Sequence, residues 1–151
     1  MASFSFAKSL ARVLRLLQID LVMSASDPQR TYQGEQGGKM RFGQTDGFLV
    51  ASLITGPKHV LLQLRLAKEG LAAIPCEPLP AIGNCRHREL DAGLIVEAVI
   101  NGVAEANERN GSKLYPSHIR YVSNDTGPEG VYGALAAALV DEVASGRLAL
   151  P

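Results

Sequence analysis

Apolar residues recur at helical spacing near both ends of this chain and with the period of a strand between them. From Phe6 to Leu17, the residues Phe6, Leu10, Val13, Leu14 and Leu17 share one side of a helix, and Lys8, Arg12 and Arg15 line the other. The expectation is an amphipathic N-terminal helix with a basic face. The rival is a mitochondrial-type targeting segment, because the stretch contains serine and no acid before Asp20. The folded helix is preferred. Ser24 to Gly38, with Asp27-Pro28, Gly34, Gly37 and Gly38, is turn chemistry. Lys39 to Phe42 then alternates with period two, Phe48 to Ile54 is apolar and β-branched, and His59 to Leu66 follows a turn at Thr55–Lys58. These segments read as an antiparallel meander.

Residues 69–88 contain Pro75, Pro78 and Pro80, which cannot donate to a sheet ladder and break helix interiors. A long irregular connection is expected there, and connections of that length usually have a task.

Two helices follow, separated by a strand at Ile119–Ser123 that is entered through Tyr115-Pro116. Asp91 is placed to cap the first helix, with Leu90 and Ile95 as a hydrophobic staple across the cap. Leu94, Ile95, Ala98, Val99, Val103 and Ala106 form its buried stripe, Glu97, Asn101, Glu105 and Glu108 its wet face, and Asn110-Gly111 its stop. The second helix is read as opening on a capping box, Thr126 with Glu129. Tyr132, Leu135, Ala136, Leu139, Val140 and Val143 follow at helical spacing, and Gly146 closes it. Its remaining sides carry Gly130, Gly133, Ala134, Ala137 and Ala138, so cover on two sides is expected. The N-terminal helix or a second copy of the chain would supply the second cover. The latter makes a homo-oligomer, dimer or higher, the expected partner.

Early strands and late helices point to an α+β fold in one domain, residues 1–151. Its sheet is antiparallel or mixed, with four to five strands, and the N-terminal helix and two C-terminal helices pack on one face. The closing helix–strand–helix order is similar to the second-domain fold of ribosomal small-subunit proteins and to domain IV of translational GTPases. That resemblance rests on topology alone. It implies no function and no site residue.

Composition narrows the class. With 46% hydrophobic and 20% charged residues, the chain is too apolar to be disordered. The longest clean apolar run, Ala134 to Val140, falls far short of the ~18 residues that span a bilayer, so no membrane partner is expected. Arg12, Arg15, Gln18 and Asp20 interrupt any secretory core, which favours a cytoplasmic protein with Cys76 and Cys85 as free thiols. Fifteen basic and fifteen acidic side chains cancel. Residues 1–68 nevertheless hold nine basic and four acidic groups (+5), and residues 69–151 hold six and eleven (−5). The halves are expected to neutralise each other, the alternatives being head-to-tail self-association and a basic face for an anionic partner.

Candidate chemistry gathers in two places. Cys85 with His87 would make a nucleophile and base, since residues i and i+2 of an extended segment point the same way, and Arg86 and Arg88 would lower the thiol pKa or hold a small anionic ligand. The turn Ser123–Gly127 leads into a helix N-terminus, where Asn124, Thr126 and Gly127 would contact a carboxylate or phosphate and Asp125 would act as a base. Cys76, Cys85 and His87 offer zinc-type donors, but C-x8-C-x-H is no recognised spacing, so neither metal nor cofactor is expected. Arg30, Tyr32, Lys39, Arg41 and Phe42 resemble a nucleic-acid strand face. They are few and the chain is neutral, so nucleic acid is not the expected partner. No G-x-S-x-G, H-E-x-x-H or P-loop pattern occurs. The expectation is therefore a small self-associating protein that binds a ligand or partner without catalysis. The alternatives are an enzyme with its site between residues 76–88 and the Asp125–Thr126 turn, and an RNA- or ribosome-associated module.

Overall fold

Asp46 and Gly47 both adopt positive φ, 49° and 77°, as a two-residue hairpin turn with the twist of its strands requires. They join β3 (Lys39–Thr45) to β4 (Phe48–Thr55), in register from Thr45 opposite Phe48 to Lys39 opposite Ile54. β5 (Lys58–Ala67) completes the meander by pairing antiparallel with β4. The computed structural model describes residues 19–20, 31–34, 39–55, 58–84 and 86–151. The N-terminal helix expected over Phe6–Leu17 lies outside them.

Beyond β5 the chain makes β6 (Cys76–Leu79), α1 (Ala92–Asn110), β7 (Tyr115–Val122) and α2 (Val131–Ala144). β7 pairs antiparallel with β5, and β6 runs parallel to β7 on its outer side. Four of these strands, β3, β4, β5 and β7, fall on the segments expected to form strands, β6 makes the sheet mixed, and the short strands β1 (Ile19–Asp20) and β2 (Thr31–Gly34) extend it beside β3. β6 corrects the expectation of a wholly irregular segment over 69–88. Its proline, Pro78, is tolerated because an edge strand needs ladder donors on one side only.

Strand alternation decides which face is dry. Leu49, Ala51 and Leu53 of β4, Val60, Leu62, Leu64 and Leu66 of β5, and Ile119 and Tyr121 of β7 form one cluster with the apolar stripes of both helices. Each large side chain so buried contributes about 1.5–3 kcal/mol. The intervening positions, among them Phe48, Val50, Ser52, Gln63, Arg65, His118 and Arg120, fall on the opposite face. Among the described residues no helix is long and apolar enough to cross a membrane.

α1 begins and ends as its sequence dictates. The Asp91 side chain accepts the Leu94 N–H, and Gly111 takes the left-handed conformation at φ 63° with its N–H donated to the Asn107 carbonyl. Leu90 and Ile95 are both buried in the common core. α2 departs from expectation: it starts at Val131, and its N-cap, Gly130, has no side-chain hydrogen bond. Thr126 and Glu129 form no capping box, because Glu129 reaches Arg88 and Thr126 faces β5.

The small-residue side of α2 is covered, as its composition requires, but the cover is α1. A Cβ built at Gly102 would stand 2.1 Å from the Gly133 carbonyl oxygen, so the two helices meet backbone to backbone. With that side filled from within the chain, it gives no argument for a second copy. The contact makes a sharp prediction. Gly102→Ala should lower stability by roughly 3 kcal/mol, because overpacking must push the helices apart. Gly43→Ala, where a Cβ meets nothing within 4 Å, should be close to neutral. Thermal unfolding followed by circular dichroism distinguishes them.

Candidate functional site

The ladder between β5 and β7 ends at Leu62 opposite Tyr121, yet β5 runs on to Lys58. Its remaining polar groups still need partners. Two residues beyond the turn that follows β7 supply them. Asp125 Oδ2 accepts the Leu61 N–H at 2.7 Å, Thr126 N–H donates to the His59 carbonyl at 3.0 Å, and Thr126 Oγ1 accepts the His59 N–H at 3.4 Å. Asp125 and Thr126 thus continue the sheet with side chains and so bring His59 to the turn.

Asp125 is 1% exposed; it accepts from Leu61 N–H and from Tyr132 Oη at 2.7 Å, and its other oxygen lies 3.1 Å from His59 Nδ1. Burial raises its carboxyl above the usual range, and the three hydrogen bonds pull the other way. Because the folded value is the higher one, the ionised group subtracts from stability as pH rises through it. Tyr132, wholly buried beside this carboxylate, is pushed far above an ordinary phenol and stays a donor. With Nδ1 facing the carboxylate, Nε2 is the nitrogen of His59 left for a ligand.

A second imidazole arrives from the connection before α1. His87 Nε2 lies 3.4 Å from Thr126 Oγ1, and its ring stands edge-on to that of His59 with centroids 6.2 Å apart. The connection is anchored on both sides of His87. Asn124 pairs with the backbone of Ile82 through both ends of its amide, accepting at 2.9 Å and donating at 2.8 Å. Arg88 donates to both oxygens of buried Glu129, at 2.8 and 2.6 Å, and Glu129 also accepts the Asp91 N–H. Arg88 and these bonds hold the Glu129 carboxyl well below its usual range, at about 2.

Of the expected site residues, His87, Asp125 and Thr126 are brought together through His59. Asn124 and Arg88 are anchors of the connection, and a Cβ at Gly127 would press on Arg88 Nη2 at 3.2 Å. Arg86 is exposed next to His87. Cys85 lies outside the described residues. Cys76 is half-buried on β6, where burial and the neighbouring Glu77 push its thiol up to about 11, so it stays protonated at neutral pH. Among the described residues no group of three His, Cys, Asp or Glu is arranged to hold a metal ion.

Sequence reasoning missed three residues. His59 was read as the start of a strand, Tyr132 as core, and Glu129 as a cap. The D-T-G-P-E segment did carry a signal, two acids flanking a turn, but their partners lie about forty and sixty-six positions away.

Two outcomes follow for stability. Asp125→Ala should cost roughly 2–4 kcal/mol by leaving the Leu61 N–H and Tyr132 hydroxyl buried without an acceptor. Asp125→Asn should cost less than about 1 kcal/mol, since the amide carbonyl accepts both; chemical denaturation reads the difference. Glu129 contributes stability above its ordinary value near 4.5 that is lost as pH falls toward 2. Glu129→Gln should therefore flatten the decline of the denaturation midpoint across that window.

No protein-family model matches the chain, and no curated protein or solved structure is significantly similar to it. The reading of the site rests on its own geometry.

Proposed function

We propose that the end of the sheet bearing His59 and His87 is an acid–base site for a small anionic ligand. One observation carries the reading: a buried carboxylate, saturated by backbone and phenol donors, aligned on His59 Nδ1 at 3.1 Å. A carboxylate so placed fixes the tautomer and ring orientation of an imidazole and favours the imidazolium that forms when Nε2 takes a proton. His87 stands close enough to return a proton on the same ligand, and the Thr126 hydroxyl between them is within reach of both residues. Exposed Lys58 and Arg86 adjoin the two histidines in sequence, so an incoming carboxylate or phosphate meets positive charge.

This reading keeps the expected region, between the 76–88 connection and the Asp125–Thr126 turn, and moves the reacting group from Cys85 to His59. A second reading, binding without chemistry, draws on the structural duty of the same side chains: Asp125 and Thr126 both finish the β5 ladder.

The two part on the tautomer. Long-range nitrogen–proton NMR of the imidazoles should show His59 protonated at Nδ1 and bare at Nε2. In Asp125→Asn the amide NH2 faces Nδ1 and the proton should move to Nε2. Millimolar inorganic phosphate should shift the His59 and His87 resonances in the wild type. A His59 that is protonated at Nε2 from the start, or that ignores Asp125→Asn, overturns the acid–base reading. Phosphate shifts that persist without the tautomer preference leave binding alone.

A further inference from the structure

The bipolar charge of the sequence becomes two faces in the fold. α1 and α2 carry five carboxylates (Glu97, Glu105, Glu108, Asp141 and Glu142) and one arginine, Arg109. Among the described residues, the face of the sheet away from α1 and α2 carries Arg41, Arg65, His118 and Arg120, against Glu77 of β6, and Asp20 of β1 is a further strand carboxylate. Asp46 sits at the β3–β4 turn beside this face. Among the described residues the helix carboxylates and the strand arginines lie in different layers, and the basic layer draws on both halves of the chain.

At the centre of that face Phe48 is 1% exposed, although it projects away from the helices. What covers it is two guanidinium groups. Arg65 Cζ lies 4.3 Å and Arg120 Cζ 4.2 Å from the ring centroid, and the His118 ring meets its edge at 5.1 Å. One donor edge of Arg65 is engaged, Nε and Nη2 donating to the carbonyls of Gly47 and Asp46, and Arg120 Nε donates to Glu77. Carboxylates and phosphates alike bind a guanidinium through its donor edge, and these contacts take part of it. The flat outer face of each group remains, held rigid by Phe48. Planar faces of fixed positive charge suit a nucleobase with its phosphate. Partly exposed Ser52 and Gln63 and exposed Arg41 extend the surface across the strands.

We propose that the face of the sheet away from α1 and α2 docks single-stranded nucleic acid, with bases stacked on the outer planes of Arg65 and Arg120 and phosphates met by Arg41. The site is distinct from the His59 end and does not depend on its chemistry. Phe42, expected to share such a surface, does not take part, because it is buried in the core. The side chains of Tyr32 and Lys39, and Arg30 altogether, lie outside the described residues.

Fluorescence anisotropy of a short labelled oligouridylate, titrated with the full chain at low salt, tests the proposal. Binding should weaken steeply with added salt and should favour the single strand over a duplex of equal length. Arg65→Lys and Arg120→Lys keep the charge and remove the plane, and each should weaken binding about tenfold. Lys113→Ala, exposed near the C-terminal end of α1, should leave binding unchanged. Absence of binding at low salt, equal affinity for the duplex, or full affinity in both lysine variants overturns it. Self-association at low salt that Arg65→Lys abolishes, with no binding of the oligonucleotide, gives the face to a second copy and also overturns it.

Discussion

A carboxylate buried away from water must be surrounded by donors or it destabilises the fold. Asp125 meets that demand with partners from two elements: the amide of Leu61 and the ring nitrogen of His59, both in β5, and the hydroxyl of Tyr132 in α2. The geometry of this end of the molecule follows from that requirement. The turn after β7 must fold back onto β5, α2 must begin where its first tyrosine reaches the turn, and His59 must present its remaining nitrogen outward. The nearby pairing of Glu129 with Arg88 and Asp91 fixes the approach to α1 against the same turn. The proposed proton transfer would therefore use atoms that the fold already constrains.

A second constraint acts at the other layer. Gly102 and Gly133 let α1 and α2 touch through their backbones, which makes the helical layer self-sufficient on the side of α2 that its small residues left open. Both helices then bury their stripes on one face of the sheet. The other face keeps what its strand positions dictate, arginines, a histidine and small polar groups arranged around a phenylalanine. A neutral composition thus conceals a molecule with a basic side and an acidic one.

The sequence made the local physics legible and left the long-range physics dark. Asp91, Gly111 and the stripe of α1 act within one or two turns of their own positions, and they behave as read except for Leu94, which is exposed beside the cap instead of joining the buried stripe. The meander was equally plain, and the Asp46-Gly47 pair, a hairpin signal in its own right, could have fixed its first turn. β6 was hidden because proline argues against strands in general, and only its edge position removes the objection. The capping box failed for a related reason. Threonine and glutamate at that spacing satisfy a local rule, but Arg88 and β5 offer stronger partners from a distance. Asp125 and His87, both singled out in the sequence, do lie near one another, whereas His59 required knowing which strand lies beside β7. Charge asymmetry between the halves was visible by counting, and its meaning appeared only when strands and helices separated into layers.

The direct test of the central claim is amide hydrogen exchange at Leu61, with the Tyr132 hydroxyl proton as a companion signal. If the Asp125 carboxylate closes the β5 ladder, Leu61 exchanges as slowly as Gln63, which is held within the β5–β7 pairing, and a slowly exchanging phenol proton is observed for Tyr132. Fast exchange at Leu61 beside a protected Gln63, with no phenol proton detected, would show that the carboxylate does not bind this strand and would contradict the account.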